Sequence, residues 1–194
     1  MCENYKPFIS KEEINDLPLL EYHGTIEIIE SHEKALEAIK KLATEKALGF
    51  DTESRPCFAK GESYPIAMIQ LATLNCAYLF RLNRMPFPKE LLDILSNEKI
   101  IKAGVGIPDD LKGIHKLSPF TPRGFIDLSS EAKQKGFTSL GLRALTAIFL
   151  GQRLSKAAKV TNWERVVLTE AQVKYAACDA LVGLKIYLKM MDLK

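Results

Sequence analysis

The chain has 194 residues, 47% of them hydrophobic and 26% charged, a globular composition with enough length to bury a core without disulfide staples. Its apolar runs reach only about ten residues where a membrane helix needs about 20. The opening MCENYKPFISKEEIND has no secretory apolar stretch, so no membrane partner and a cytoplasmic location are expected. The net charge of +3 is unevenly spread: residues 1–54 carry 6 basic and 12 acidic groups, residues 133–165 carry 7 basic and 1 acidic. That basic stretch is either a solvated face or a patch for a polyanion. None of the four cysteines stands in a C-x-x-C pair, which argues for reduced thiols.

In chain order, residues 1–22 read as an irregular lead-in with Pro7 and Pro18, and residues 23–194 as one domain. A strand is predicted over 25–29. Ser31 caps a helix over 32–44 whose apolar face is Ala35, Leu36, Ile39 and Leu42. A buried strand follows over 47–53, then a polar loop over 54–65. Strands over 66–72 and 77–81 flank the turn Thr73-Leu74-Asn75. A helix over 87–97, a strand over 100–103 and a helix opening near Pro108 come next. Residues 118–124 form a loop, and a helix over 139–150 stops at Gly151. Residues 151–168 are polar and basic and hold the single tryptophan, Trp163. Thr169 then caps a long helix running to about Met190. A strand cluster followed by alternating helices and strands implies an α/β fold with a mixed sheet covered by helices.

Carboxylates in apolar context carry the chemistry. Asp51 and Glu53 end the Ala-Leu-Gly-Phe strand, and residues i and i+2 of a strand share a face. Such a pair repels itself, which a nearby Mg²⁺ or Mn²⁺ would resolve; a plain surface pair would also give D-x-E. On the last helix, Tyr175 and Asp179 are four apart, on one face among small residues. An Asp there needs a partner, and a structural hydrogen bond is the simpler reading. Lys102-Ala-Gly-Val-Gly-Ile-Pro-Asp-Asp110 runs from a strand to a helix start. Asp109 stands where a dinucleotide-binding G-x-G-x-x-G would need glycine, and acids at a helix start also complement its dipole.

Together, Asp51-x-Glu53, Asp110 and Tyr175-x-x-x-Asp179 resemble the DEDD superfamily of 3′→5′ exonucleases. The tyrosine subclass is the match, because Lys174 stands where the other subclass has histidine. Ile69-Gln70-Leu71-Ala72, Lys102 to Ile107, and Asn162-Trp163 with Leu168 to Ala180 resemble segments of ribonuclease D and Werner-type exonuclease domains. The resemblance covers residues 25–190 and departs at Ser54, where the family often carries a bulky apolar residue.

It implies a ribonuclease H-like fold, with a mixed central sheet flanked by helices. It also implies hydrolysis of nucleic acid, DNA ahead of RNA, from 3′ ends to nucleoside 5′-monophosphates with two ions, Mg²⁺ or Mn²⁺. Asp51, Glu53, Asp110 and Asp179 would be the metal ligands, Asp110 mostly through water and preferred by spacing over Asp109. Tyr175 would position the attacking water. Thr52 would approach the terminal nucleotide by its backbone. Lys156 and Lys159 would contact phosphates, and Trp163 would either stack on a base or anchor its loop. A catalytically silent nucleic-acid-binding module and a ribonuclease D-like RNA processor are the alternatives.

Overall fold

The computed structural model describes residues 5–59, 61–155, 157–158 and 160–192. Six strands form one sheet: β1 (Thr25–Ile29), β2 (Ala47–Ser54), β3 (Ile66–Ala72), β4 (Cys76–Arg81), β5 (Ile101–Gly104) and β6 (Phe125–Asp127). Their spatial order is β1-β4-β3-β2-β5-β6. β3 is antiparallel to both β2 and β4, while β1–β4, β2–β5 and β5–β6 are parallel. The sheet is therefore mixed, with helices on both faces.

Alternation along the strands sorts the core. Leu48, Phe50, Ile69, Leu71, Tyr78 and Phe80 pack toward α2 (His32–Leu42), α3 (Leu91–Leu95) and α4 (Ile107–Leu117). Met68, Ala72, Ala77 and Leu79 pack toward α7 (Glu170–Met191). α5 (Leu128–Gln134) and α6 (Leu142–Leu150) complete the α7 side. The α7 face is lined with small residues because the helix lies close against the strands. A Cβ on Gly49 would collide with the Ala180 carbonyl oxygen, and one on Gly183 would come within 2.6 Å of the Ala103 carbonyl oxygen.

The lead-in is more ordered than its prolines suggest. Ser10 and Glu13 form a capping box that starts α1 (Lys11–Asp16). The Tyr5 ring packs 4.9 Å from that of Phe149, Leu20 joins the α7-side core, and Leu19 bridges to Arg153. The expected helix over 87–97 shortens to α3: Pro88 disfavours a helical conformation at Phe87, and the N–H groups of Leu91, Leu92 and Asp93 bond only three residues back, to Pro88, Lys89 and Glu90. Among the described residues, no helix is long and apolar enough to cross a membrane.

Candidate active site

The D-x-E motif lies at the end of β2, where the register with β3 shifts between Glu53 and Ser54. Such an irregularity bends a strand end and re-aims its side chains. Asp51 and Glu53 share the face of Gly49, toward α7, and Thr52 takes the opposite face. The close seating of α7 brings Asp179 down to them. One oxygen each from Asp51, Glu53 and Asp179 lies within 4.8 Å of the others.

Asp110, expected as a ligand mostly through water, stands outside this triplet. It belongs to α4 across the sheet edge, and its Oδ1 accepts a 2.5 Å hydrogen bond from the Thr52 hydroxyl. Its charge still acts on Asp51. The adjacent pair point different ways: Asp109 faces solvent and binds Lys112 at 2.8 Å, whereas Asp110 turns to Thr52. Asp127, overlooked in the sequence, holds α4 in place. Its Oδ2 accepts from the backbone N–H groups of Gly106 (2.8 Å) and Ile107 (3.2 Å), while its Oδ1 caps α5 through Ser130. Gly106 takes a left-handed conformation at φ +84°, which suits glycine.

Tyr175 is half-buried one turn before Asp179. Burial first, then the Asp179 charge, push its phenol well above the usual tyrosine range, so it is a donor rather than a base. Its ring centroid lies 6.0 Å from that of Trp163. Trp163 is fully buried, which agrees with the anchor reading of the two: its indole packs inside the fold beside Tyr175. The loop carrying it is tied down by two buried polar side chains. Gln172 Nε2 donates to Thr161 Oγ1 (3.0 Å) and the Asn162 carbonyl (3.1 Å), and Arg81 donates to the Arg165 carbonyl at 2.6 Å. Lys156 and Lys159 fall outside the described residues.

The electrostatics suit a cation. Burial, then Asp179, Glu53 and Asp110, raise the Asp51 carboxyl well above the ordinary carboxylate range. Asp110 is pushed up to about 6, chiefly by burial and against the Thr52 hydrogen bond. A hard divalent ion answers this repulsion, and three clustered carboxylate oxygens are the donor set it prefers. The acids open on a groove of about 470 Å³ whose walls include Val105, Leu142, Arg143, Leu154 and Ser155. Arg143 was seen in the sequence only as part of the basic stretch. An adjoining cavity of about 420 Å³ shares Tyr175 and Asp179 and is walled by Leu19 to His23 of the lead-in.

A ribonuclease H-like sheet with a carboxylate cluster at the end of its β2 strand defines the class: a DEDD-type nuclease domain. Residues 26–193 match the family described as 3′-5′ exonuclease, and the chain belongs to that family. It is 33% identical, over 97% of its length, to the mouse "Bifunctional 3'-5' exonuclease/ATP-dependent helicase WRN", of which the match spans 14%. The fold superposes on the Nibbler EXO domain of Aedes aegypti with a TM-score of 0.80 at 21% identity, covering 89% of this chain and 91% of that one. For Escherichia coli RNase D the TM-score is 0.79 at 24% identity, covering 87% and 44%.

Proposed function

We propose that this chain is a metal-dependent 3′→5′ exonuclease that removes nucleoside 5′-monophosphates from the 3′ ends of DNA. The observation that carries the reading is the Asp51–Glu53–Asp179 triplet within 4.8 Å, with Tyr175 one helical turn away. Asp51, Glu53 and Asp179, with Asp110 completing the set, would hold two divalent cations, Mg²⁺ or Mn²⁺. The chemistry these supply is neutralisation of charge on the attacking and leaving oxygens.

The chain's own groups do the rest. The Tyr175 hydroxyl orients the attacking water; a phenol raised this far cannot take its proton at neutral pH. Glu53 is the second water-orienting group. Thr52 keeps Asp110 in place through its hydroxyl and offers its backbone to the terminal nucleotide. Arg143, in the groove wall, is the phosphate contact among the described residues, joined by Lys156 and Lys159 from the basic loop. Free thiols at Cys57, Cys76 and Cys178 suit a reducing compartment such as the cytoplasm.

DNA is favoured by the likeness to Werner-type domains. RNA is the second reading, favoured by the fold shared with an enzyme titled "an exoribonuclease involved in structured RNA processing". Digestion of 5′-labelled DNA and RNA strands in Mg²⁺, Mn²⁺ or EDTA tests both. A ladder shortening from the 3′ end is expected in metal, faster on DNA, and none in EDTA. Internal cuts, or equal hydrolysis in EDTA, would overturn it.

A further inference from the structure

Gln70 occupies the centre of β3 and is completely buried, yet neither its Nε2 nor its Oε1 has a hydrogen-bond partner. Buried amides are normally paired, because desolvation without a replacement bond is costly. Its position is specific. In the β2–β3 register Gln70 lies directly opposite Asp51, so the two side chains leave the sheet on the same face, toward α7. Its same-face neighbours along β3, Met68 and Ala72, pack against Ala176 and against Ala177 and Ala180. The amide is thus enclosed between the sheet and the helix that carries Tyr175 and Asp179, beside the carboxylate under most repulsion. The neighbours of Gln70 along β3 on this face, Met68 and Ala72, are apolar, so packing along the strand does not call for an amide.

We propose that Gln70 is a positioning residue for Asp51, its amide N–H reserved for the Asp51 carboxylate oxygen that a bound cation leaves free. This rests on the metal-nuclease reading. When a cation sits among the acids, the oxygen of Asp51 turned away from it needs a donor, and the cross-strand amide supplies one. Groups that orient a metal's ligands in this way typically contribute 10–100-fold to affinity or activity.

The test is Gln70→Met, which keeps the length and removes both polar atoms, with Gln70→Leu as a second apolar variant. Three quantities are read: the melting temperature in chelator, the Mn²⁺ concentration giving half the metal-induced rise in melting temperature, and kcat separately from KM for nucleic acid. The expectation is an unchanged or higher melting temperature in chelator, a half-saturating Mn²⁺ concentration raised roughly tenfold or more, a kcat lowered to match, and an unchanged KM. Parent-like Mn²⁺ response and kcat in a folded variant would overturn the proposal. So would both variants melting well below the parent in chelator, since the amide would then be serving the fold. If the parent itself shows no metal response and no hydrolysis, the failure belongs to the nuclease reading instead.

Discussion

The two faces of the sheet are built from the same strands and do opposite things. Toward α2, α3 and α4 the strands present Phe50, Ile69, Leu71 and Phe80, each at most 1% exposed, in a continuous apolar layer. Toward α7 they present Gly49, Asp51, Glu53 and Gln70, which bring close backbone contact, like charges and an unpaired amide. One face supplies stability, and the other gives part of it up to hold acids where a cation can be bound. The alternation of a single strand, β2, serves both: Phe50 joins the first layer, Asp51 and Glu53 the second, and Thr52 reaches across to α4.

The largest contrast is in catalysis. Asp51→Ala and Asp179→Ala should each remove roughly 10³-fold or more of the turnover, with melting in chelator unchanged or improved because a repelling charge is gone. Tyr175→Phe should lose roughly 10²–10⁴-fold in kcat while retaining its metal-induced thermal shift, since only the positioned hydroxyl is lost. A phenylalanine variant as fast as the parent would reduce Tyr175 to a packing group.

Packing variants sharpen the difference between the faces. Leu71→Ala should cost about 2–5 kcal/mol in denaturant unfolding, with kcat of the folded fraction near that of the parent. Gly49→Ala meets the Ala180 carbonyl, so α7 must move away from β2. It should cost about 3 kcal/mol or more and also depress kcat, because Asp179 travels with the helix. Equal kcat in the two folded variants would break the distinction.

A smaller effect is set by pH. Asp110 and Asp51 both have folded-state pKa values raised above their unfolded ones, Asp110 to about 6. The protonated form of Asp110 favours the fold, so its contribution is complete below the unfolded value of 3.8 and is lost as pH rises through about 6, and Asp51 acts in the same direction. For Asp110 alone the loss is on the order of 3 kcal/mol. Unfolding in chelator should therefore become easier between pH 4 and 7, and saturating Mn²⁺ should flatten the trend. A chelator profile flat across that range would contradict the assigned shifts.

Much of this was legible in the sequence because it is locally encoded. The D-x-E pair rides on a strand of period two, and Tyr175 and Asp179 on a helix of period 3.6. Spacing alone therefore put each pair on one face. The features that escaped are short or depend on distant pairing. β6 has three residues, too few for a period to show. α1 was masked by prolines, although Ser10 and Glu13 spell its capping box. The role of Asp127 exists only because β6 lies beside β5, and that of Gln70 only through the β2–β3 register. Trp163 was ambiguous because an aromatic side chain serves equally as a loop anchor or a stacking platform, and only its burial decides between them.

The central claim is that repulsion on the α7 face is held for a divalent cation. Thermal melts of the parent and Asp51→Asn across an Mn²⁺ titration test it most directly. The parent should gain about 2.7 kcal/mol at a hundredfold excess over Kd, with Mn²⁺ acting at lower concentration than Mg²⁺. Asp51→Asn should start at or above the parent in chelator and respond little. A parent melting temperature unmoved by millimolar Mn²⁺, or an equal rise in Asp51→Asn, would contradict the account.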